Sequence, residues 1–236
     1  MDYSNFDPAD GDWEEDFSSE LNWGESQWRH YLKGSENDTS RYLALYNSLK
    51  NNPNHLDEVA SLMGWDTNDL AMTDEGPVTD PDEDSFTNSL SDLNNAEETP
   101  YTLHRHPIYI ATIALYRYLY QSWENYLVQN PNSIPAQTCW NYARSLNKAE
   151  TNVLHCIQSL DLGDFGLAIC HLKNSLAELN HSIALLDSLT NTSNTALEPF
   201  RAECKIRLFD LRELWIRIIG DCRHEVRRRS NGGKHP

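Results

Sequence analysis

The sequence predicts an all-α protein: a C-terminal antiparallel four-helix up-down bundle, preceded by an acidic, partly disordered N-terminal region that carries a short helical hairpin. Apolar residues from 165 to 189 recur at steps of three and four, which places them in one stripe on an α-helix. A similar stripe returns between residues 197 and 222, and no segment convincingly indicates a strand. Neighbouring helices must cover both stripes because apolar surface is unstable in water. The stripes comprise Phe165, Ala168, Leu172, Leu176, Leu179, Ile183 and Leu186, then Leu197, Phe200, Cys204, Leu208, Leu211, Trp215, Ile218 and Cys222.

The excess of acidic over basic residues lies entirely in the first 100 residues of the chain. Residues 1–100 contain 24 Asp and Glu against 4 Lys and Arg, whereas residues 101–236 contain 12 against 15, for a net charge of −17. The first half would repel nucleic-acid phosphates, so we do not expect a nucleic-acid partner. It suits a solvated arm or a ligand for basic surfaces. No apolar stretch reaches about 18 residues and no signal peptide is recognisable, so no membrane partner is expected.

Residues 1–36 are predicted to form an acidic, aromatic-bearing arm. Their rings could anchor a segment that orders on a partner, pack on the main domain, or belong to a disordered tail. A short helix is predicted over 25–33, ended by Gly34. The aromatic residues include Phe6, Trp13, Phe17, Trp23, Trp28 and Tyr31.

Residues 37–66 are predicted to form the short helical hairpin. One helix covers 40–50, a turn follows at 51–54, and a second helix covers 55–63 and ends at Gly64. Residues 67–100 combine turn-forming residues with like charges, which predicts an acidic linker. Phe86, Leu90 and Leu93 within this linker could form a brief partner-binding motif.

Residues 101–229 are predicted to form the four-helix bundle. Pro107 opens a helix to Gln129 that is apolar almost all round. Such a helix must be covered on several sides, by the bundle, by the N-terminal hairpin, or by a second copy in a homodimer through 108–129.

The other bundle helices follow from the loops between them. The second helix is predicted over 135–160, the third over 165–189 and the last over 196–229, followed by a disordered tail at 230–236. The connection at 161–164 is short, so the two helices it joins must be antiparallel.

This connection and the helix after it resemble the turn and second helix of a tetratricopeptide repeat. The resemblance is carried by Leu162-Gly163-Asp164-Phe165 with Ala168, Leu172 and Leu176. No second copy occurs at the repeat period and the flanking helices are longer than that unit allows, so we interpret the segment as a tight helix–helix turn.

A few residues could bind a metal. Glu178 and His181 form one Glu-x-x-His pair, with His171 on the same flank and Glu150 on the preceding helix. A carboxylate-bridged site needs a second such pair, which the sequence lacks, so a solvated flank is the preferred interpretation. The alternative function is therefore a metal-binding bundle with an oxidase or storage role. His104 and His106 could share a metal, but His106 is better placed to cap the helix that begins at Pro107.

Nothing in the sequence points to catalysis. No Gly-x-Ser-x-Gly elbow and no phosphate-binding loop occurs, and no cofactor is predicted. The five cysteines fall in predicted helices without a CxxC pair, which is typical of reduced core cysteines in a cytoplasmic protein.

The last helix is the basic one. Its cations could simply favour the negative end of the helix dipole, bind anions, or receive the acidic arm. We therefore predict a non-catalytic helical interaction, scaffold or regulatory protein with a protein partner. Its acidic N-terminal region would dock on a basic surface, either its own last helix or that of a partner. The predicted contact residues are Trp13, Trp23, Trp28, Arg212, Arg217 and Arg223.

Overall fold

The computed structural model describes residues 23–65, 103–131, 133–189 and 196–232. This part of the chain consists of six α-helices and one 3-10 turn and contains no strand, which confirms the all-α prediction. None of the described helices is both long and apolar enough to cross a bilayer. The elements are α1 (Glu25–Leu49), α2 (His55–Met63), the 3-10 turn (Leu103–Arg105), α3 (Pro107–Gln129), α4 (Ala136–Asp161), α5 (Phe165–Ser188) and α6 (Leu197–Gly232).

Helix α1 corrects one prediction, because it runs without a break through Gly34 and joins the two short helices expected at 25–33 and 40–50. Ser35 and Thr39, just beyond the glycine, are buried. The Ser35 hydroxyl donates to the carbonyl oxygen of His104 at 2.9 Å. An exposed glycine costs a helix only about 1 kcal/mol, which tertiary anchoring of this kind outweighs. The predicted boundary between arm and hairpin, at 36/37, thus falls inside one helix.

The ends of the other helices follow local chemistry. His106 caps α3, as predicted, by accepting a hydrogen bond from the Ile108 amide at 3.2 Å. Asp164 caps α5 by accepting one from the Leu167 amide at 2.9 Å. Gly64 ends α2 with φ +82°, and Gly163 turns the chain between α4 and α5 with φ +70°. These left-handed values favour glycine, which explains the tight turn after α4.

Helix α3 lies at the centre and contacts α1, α4 and α6. The N-terminal helices share its core, since Tyr42, Tyr46, Leu56 and Val59 belong to the same buried cluster as the C-terminal helices. The apolar helix α3 is therefore covered by α4 and α6 on the C-terminal side of the chain and by α1 on the N-terminal side. Within α3, Val128 near the C-terminal end is the large apolar side chain that remains well exposed. One exposed apolar side chain is too little for a dimer interface, so a homodimer through 108–129 finds no support.

In the contacts of α4 with α5 and of α5 with α6, residues earlier in one helix lie beside residues later in the other. In α4 and α5, the Ser145 and Ser182 hydroxyls lie 2.7 Å apart, and Ser175 donates to the Ala149 carbonyl oxygen at 3.0 Å. Between α5 and α6, Lys205 forms an ion pair with Asp187 at 2.8 Å. Small side chains on α4 and α5 thus allow these two helices to approach closely.

Candidate interaction surface on the last helix

The inner side of α6 binds the N-terminal helices through a buried arginine. The Arg207 side chain is only 1% exposed, and its guanidinium lies 3.4 Å from the centre of the Tyr118 ring. It donates to the Glu203 carboxylate at 2.7 Å and to the Asn47 side-chain oxygen at 3.0 Å. Tyr46 of α1 lies against the same guanidinium, at 5.5 Å. A cation between two rings and a carboxylate is well compensated, which makes its burial tolerable.

One turn further along α6, Asp210 receives two donors from the N-terminal helices. The Tyr46 hydroxyl donates to its carboxylate, and His55 Nε2 lies 3.0 Å from the same oxygen. The other ring nitrogen of His55 lies 3.0 Å from the Asn52 carbonyl oxygen. Burial, together with the bond to Asp210, raises the pKa of Tyr46, so its phenol stays protonated as the donor. This network fixes the start of α2 against α6.

Arg217, a predicted contact residue, pairs with the N-terminal region of its own chain. Its guanidinium lies 2.5 Å from Asp57 of α2 and 3.1 Å from Glu213 of α6. The bond to Asp57, followed by the one to Glu213, raises the pKa of Arg217 despite partial burial. On α3, Arg117 likewise pairs with Glu36 of α1 at 2.7 Å. Acidic residues of the first hundred therefore contact basic residues of the C-terminal helices.

Arg212 and Arg223, the other two predicted arginines, lie on the exposed side of α6. Neither has a hydrogen-bond or ion-pair partner within the described segments. Arg223 belongs to a row of exposed residues at steps of three and four, which we call the outer face of α6, and Arg212 borders this row. Three large apolar side chains in this row, Ile206, Phe209 and Ile216, are 41%, 46% and 44% exposed. The outer face consists of Ile206, Phe209, Glu213, Ile216, Gly220, Arg223 and Arg227.

The apolar part of the outer face was not predicted. The predicted packed stripe of α6 includes Leu208 and Trp215, and both residues are buried. Phe209 follows Leu208 and Ile216 follows Trp215 in the chain, so their side chains lie about 100° further around the helix and are exposed. Ile206, Phe209 and Ile216 also recur at helical spacing in the sequence. Whether such a second stripe is exposed depends on which helices pack against α6, and the sequence does not show this.

Trp23 and Trp28 form an aromatic cluster at the start of α1. Their ring centres lie 5.1 Å apart, and each ring lies within 6 Å of Tyr31. Tyr31 in turn contacts the His104 ring at 5.6 Å and the Arg105 guanidinium at 5.4 Å. This part of the arm thus packs its rings on the turn before α3. Trp13 lies outside the described residues.

The four weak metal candidates are not brought to one point. Glu150 accepts a hydrogen bond from Tyr120 at 2.7 Å, and burial raises the pKa of this carboxyl group. His171 lies against the ring of His155, with centres 5.4 Å apart. Glu178 pairs with Lys148 at 3.0 Å. Across the described ranges, no group of three or more His, Cys, Asp or Glu is placed to hold a metal ion.

Glu178 and His181 do share an open groove of about 330 Å³ between α4 and α5. The groove is also lined by Arg144 and Lys148, so cations outnumber carboxylates there. A site with this charge disfavours a metal cation. His104 and His106 have separate surroundings, one beside Tyr31 and the other at the cap of α3.

Comparisons with known proteins add no functional information. No family model, no curated protein and no solved structure matches this chain.

Proposed function

We propose that this protein is a non-catalytic helical interaction protein of scaffold or regulatory type, whose acidic N-terminal region docks on a basic surface. That surface is its own last helix or an equivalent helix of a partner protein. In this proposal α3 to α6 form an antiparallel up-down bundle that presents the outer face of α6.

One observation carries the proposal: exposed apolar side chains on the outer face of α6 lie beside arginines that have no partner among the described residues. Phe209 and Ile216 offer apolar contact area, while Arg212 and Arg223 offer uncompensated positive charge. Exposed apolar side chains that lie together on one helix face are typical of interaction sites. Arginines beside them add charge complementarity toward an acidic segment.

The complementary charge lies in two stretches of the same chain. Residues 1–22 contain eight acidic and no basic residues, and residues 66–102 contain eleven and none. Residues 23–65, which include α1 and α2, hold five acidic against four basic residues and are nearly neutral. The ion pair of Asp57 with Arg217 already joins the N-terminal half to α6. An isolated surface ion pair contributes little, so docking requires several charges together with apolar anchors.

The compartment is part of the proposal. All five cysteines are free, and Cys156, Cys204 and Cys222 are buried. Burial raises the pKa of the Cys222 thiol to about 11, and the Asp221 carboxylate adds to this. Such cysteines act as small apolar core residues, which supports a reducing, cytoplasmic environment.

The proposal is tested by small-angle X-ray scattering of the full chain at about 50 mM and about 500 mM salt, where screening differs strongly. If the acidic region docks on α6, high salt releases it and the radius of gyration increases. An undocked acidic region gives the opposite sign, because salt screens its self-repulsion and lets it contract. The variant Arg212→Glu/Arg223→Glu is expected to have the larger radius already at low salt.

The matched control is Arg144→Glu/Lys173→Glu, which changes the charge equally on exposed positions of α4 and α5. This control should behave like the parent protein. Mass increasing with concentration at low salt, lost in Arg212→Glu/Arg223→Glu, would indicate docking on the last helix of a second molecule. A radius that contracts with salt equally in all three proteins, without a change of mass, would refute docking on α6.

A further inference from the structure

We infer that the outer face of α6 binds an amphipathic helix of another protein. This helix lies antiparallel to α6 and carries acidic residues in its first turns and apolar residues after them. The inference rests on the proposed function, in which the outer face is an interaction surface, and it specifies the partner of that surface. The spacing of the outer face, the order of its side chains and the charges beside it all point to such a partner.

The spacing of the outer face favours a helix as its partner. Its members recur at alternating steps of three and four from Ile206 to Arg227, a period of about 3.5 residues. A row with this period is a coiled-coil seam, along which a second helix packs in a left-handed coil. The seam rises roughly 32 Å, at about 1.5 Å per residue. A partner helix of about six turns would cover it.

The side chains of the outer face change from apolar to basic along the helix. Its three large apolar members are each more than 40% exposed and lie in the first half. Arg223 and Arg227 form the second half. Gly220 lies between the two parts, and no atom of the described residues lies within 4 Å of the position that its Cβ would take. A seam position without a side chain leaves room for a large side chain of the partner.

The charges beside the apolar part favour an acidic partner. Glu213, the acidic member of the outer face, is paired with Arg217 at 3.1 Å. Arg212, Arg223 and Arg227 have no hydrogen-bond or ion-pair partner within the described segments. Carboxylates of a bound helix would supply these arginines with partners, and charge complementarity of this kind selects one partner over others.

The helix dipole sets the direction of the partner. Acidic residues are most favourable in the first turns of a helix, where the dipole is positive. The basic part of the outer face lies toward the C-terminus of α6. A partner whose acidic first turns meet Arg223 and Arg227 therefore runs antiparallel to α6, and its later, apolar turns lie on Phe209 and Ile216.

A second copy of α6 is disfavoured in either direction. Parallel copies bring the basic part of one against the basic part of the other, and like charges repel. Antiparallel copies bury the arginines of one copy on the apolar part of the other, where no carboxylate compensates them.

The test is binding of a synthetic peptide to the full chain, measured by fluorescence anisotropy at about 50 mM salt. The peptide has about six helical turns, with glutamates in its first two turns and leucines at steps of three and four in the rest. Phe209→Ala/Ile216→Ala is expected to raise its Kd about tenfold, because this variant removes the apolar anchors. Arg223→Glu/Arg227→Glu is expected to raise it about tenfold as well, because like charges then face each other.

Two control variants match these changes. Val128→Ala/Trp140→Ala removes one aliphatic and one aromatic side chain, 75% and 65% exposed, from α3 and α4. Arg144→Glu/Lys173→Glu makes the same change of charge on α4 and α5. Both controls should bind the peptide as the parent protein does, and all four variants should keep the helix content of the parent by circular dichroism.

The direction of the partner is tested with a benzophenone crosslinker at the N-terminus of the same peptide. Crosslinks located by mass spectrometry are expected within residues 220–231. Crosslinks within residues 202–210 instead would overturn the antiparallel arrangement.

The remaining outcomes separate this inference from the proposed function. An equal loss of binding in the control variants, or no loss in the two α6 variants, would overturn the partner helix. No binding of the peptide, while high salt and Arg212→Glu/Arg223→Glu still expand the particle in scattering, would remove the partner helix and leave the proposed docking intact. Peptide binding that depends on the α6 variants, without any such expansion, would refute the docking of the acidic region and support the partner helix.

Discussion

Arg207 shows how a single residue joins the N-terminal helices to α6. Its guanidinium is buried against the Tyr118 ring and held by Glu203 and Asn47. Glu203 is itself partly exposed and keeps Lys50 as a second partner at 2.9 Å. Removal of Arg207 therefore leaves no buried unpaired carboxylate, and the loss is mainly one of packing and ring contact.

We expect Arg207→Ala to lower the free energy of unfolding by about 2–3 kcal/mol, because it empties a fully buried site and uncovers Tyr118. Arg207→Lys should cost about 1 kcal/mol, since it keeps the charge but loses the planar fork. Urea unfolding followed by circular dichroism measures both. Arg212→Ala, at an exposed position of the same helix, is the control and should stay within about 0.5 kcal/mol. Equal losses for Arg207→Ala and Arg212→Ala would contradict the structure.

His106 makes the stability of the fold dependent on pH. Burial lowers the pKa of this histidine from its ordinary value of 6.5 to about 4, and the neutral ring accepts the Ile108 amide. The unfolded chain takes up the proton near pH 6.5, while the folded chain does so near pH 4. The stability contributed by the neutral ring is therefore complete above pH 6.5 and is lost as the pH falls toward 4.

We expect the parent protein to lose about 2 kcal/mol more than His106→Asn between pH 7 and pH 5. Asparagine is a good helix cap that does not titrate, so it should preserve the fold at pH 7. Urea midpoints of both proteins at the two pH values provide the measurement. The same loss in both proteins would show that His106 does not carry this dependence.

These two residues also show what sequence reasoning can reach. The position of His106 directly before Pro107 predicted a cap, because helix ends are set by local chemistry. Arg207 stands among the many cations of a basic helix, and its sequence neighbours do not reveal that it is buried. Its burial depends on Tyr46 and Tyr118, which arrive from two distant helices.

At the scale of elements, helix type and most helix ends could be predicted. The predicted bounds of α2 and α3 agree with the structure at both ends. The break expected at Gly34 was wrong because a glycine that ends a helix and a glycine that merely lies exposed within one look alike in sequence. Long-range anchoring of Ser35 decides between them, and local propensity contains no information about it.

Gly34, inside α1, and Gly64, at the end of α2, give opposite expectations for substitution by alanine. Gly34→Ala should stabilise the protein by about 1 kcal/mol, because its Cβ would meet no atom of the described residues within 4 Å and the backbone is helical. Gly64→Ala should destabilise it by about 1–2 kcal/mol, because φ is +82° there. Thermal unfolding of both variants beside the parent tests the pair. Destabilisation by Gly34→Ala would mean that α1 does end at this position.

At the scale of the whole molecule, α1 and α2 are part of the main core. Tyr42 and Tyr46 are buried together with residues of α3 and α6. The pairing of helices across this core could not be read from the sequence. Apolar stripes show that a helix has neighbours but not which ones.

Deletion of residues 1–65 should therefore lower the melting temperature by more than 10 °C, or cause aggregation, because it exposes Arg207 and the α1-facing side of α3. Differential scanning calorimetry and light scattering measure these effects. Deletion of residues 1–22 is the control and should leave the melting temperature nearly unchanged, since it spares the six helices of the described segments. Equal stability of the two truncated chains would show that the hairpin contributes nothing to the core.

The distance along the chain between Tyr46 and Asp210, 164 residues, has a consequence for biosynthesis. At about 5–20 residues per second, Tyr46 emerges from the ribosome roughly 8–30 s before Asp210, the acceptor of its hydrogen bond. Helices α4 and α5 are sequence neighbours and can pair as soon as both have emerged, and α1 can contact α3 before α6 is made. The Tyr46 hydroxyl must wait for Asp210 while 164 of the 236 residues are added, so we expect the nascent N-terminal hairpin to be a binding site for chaperones.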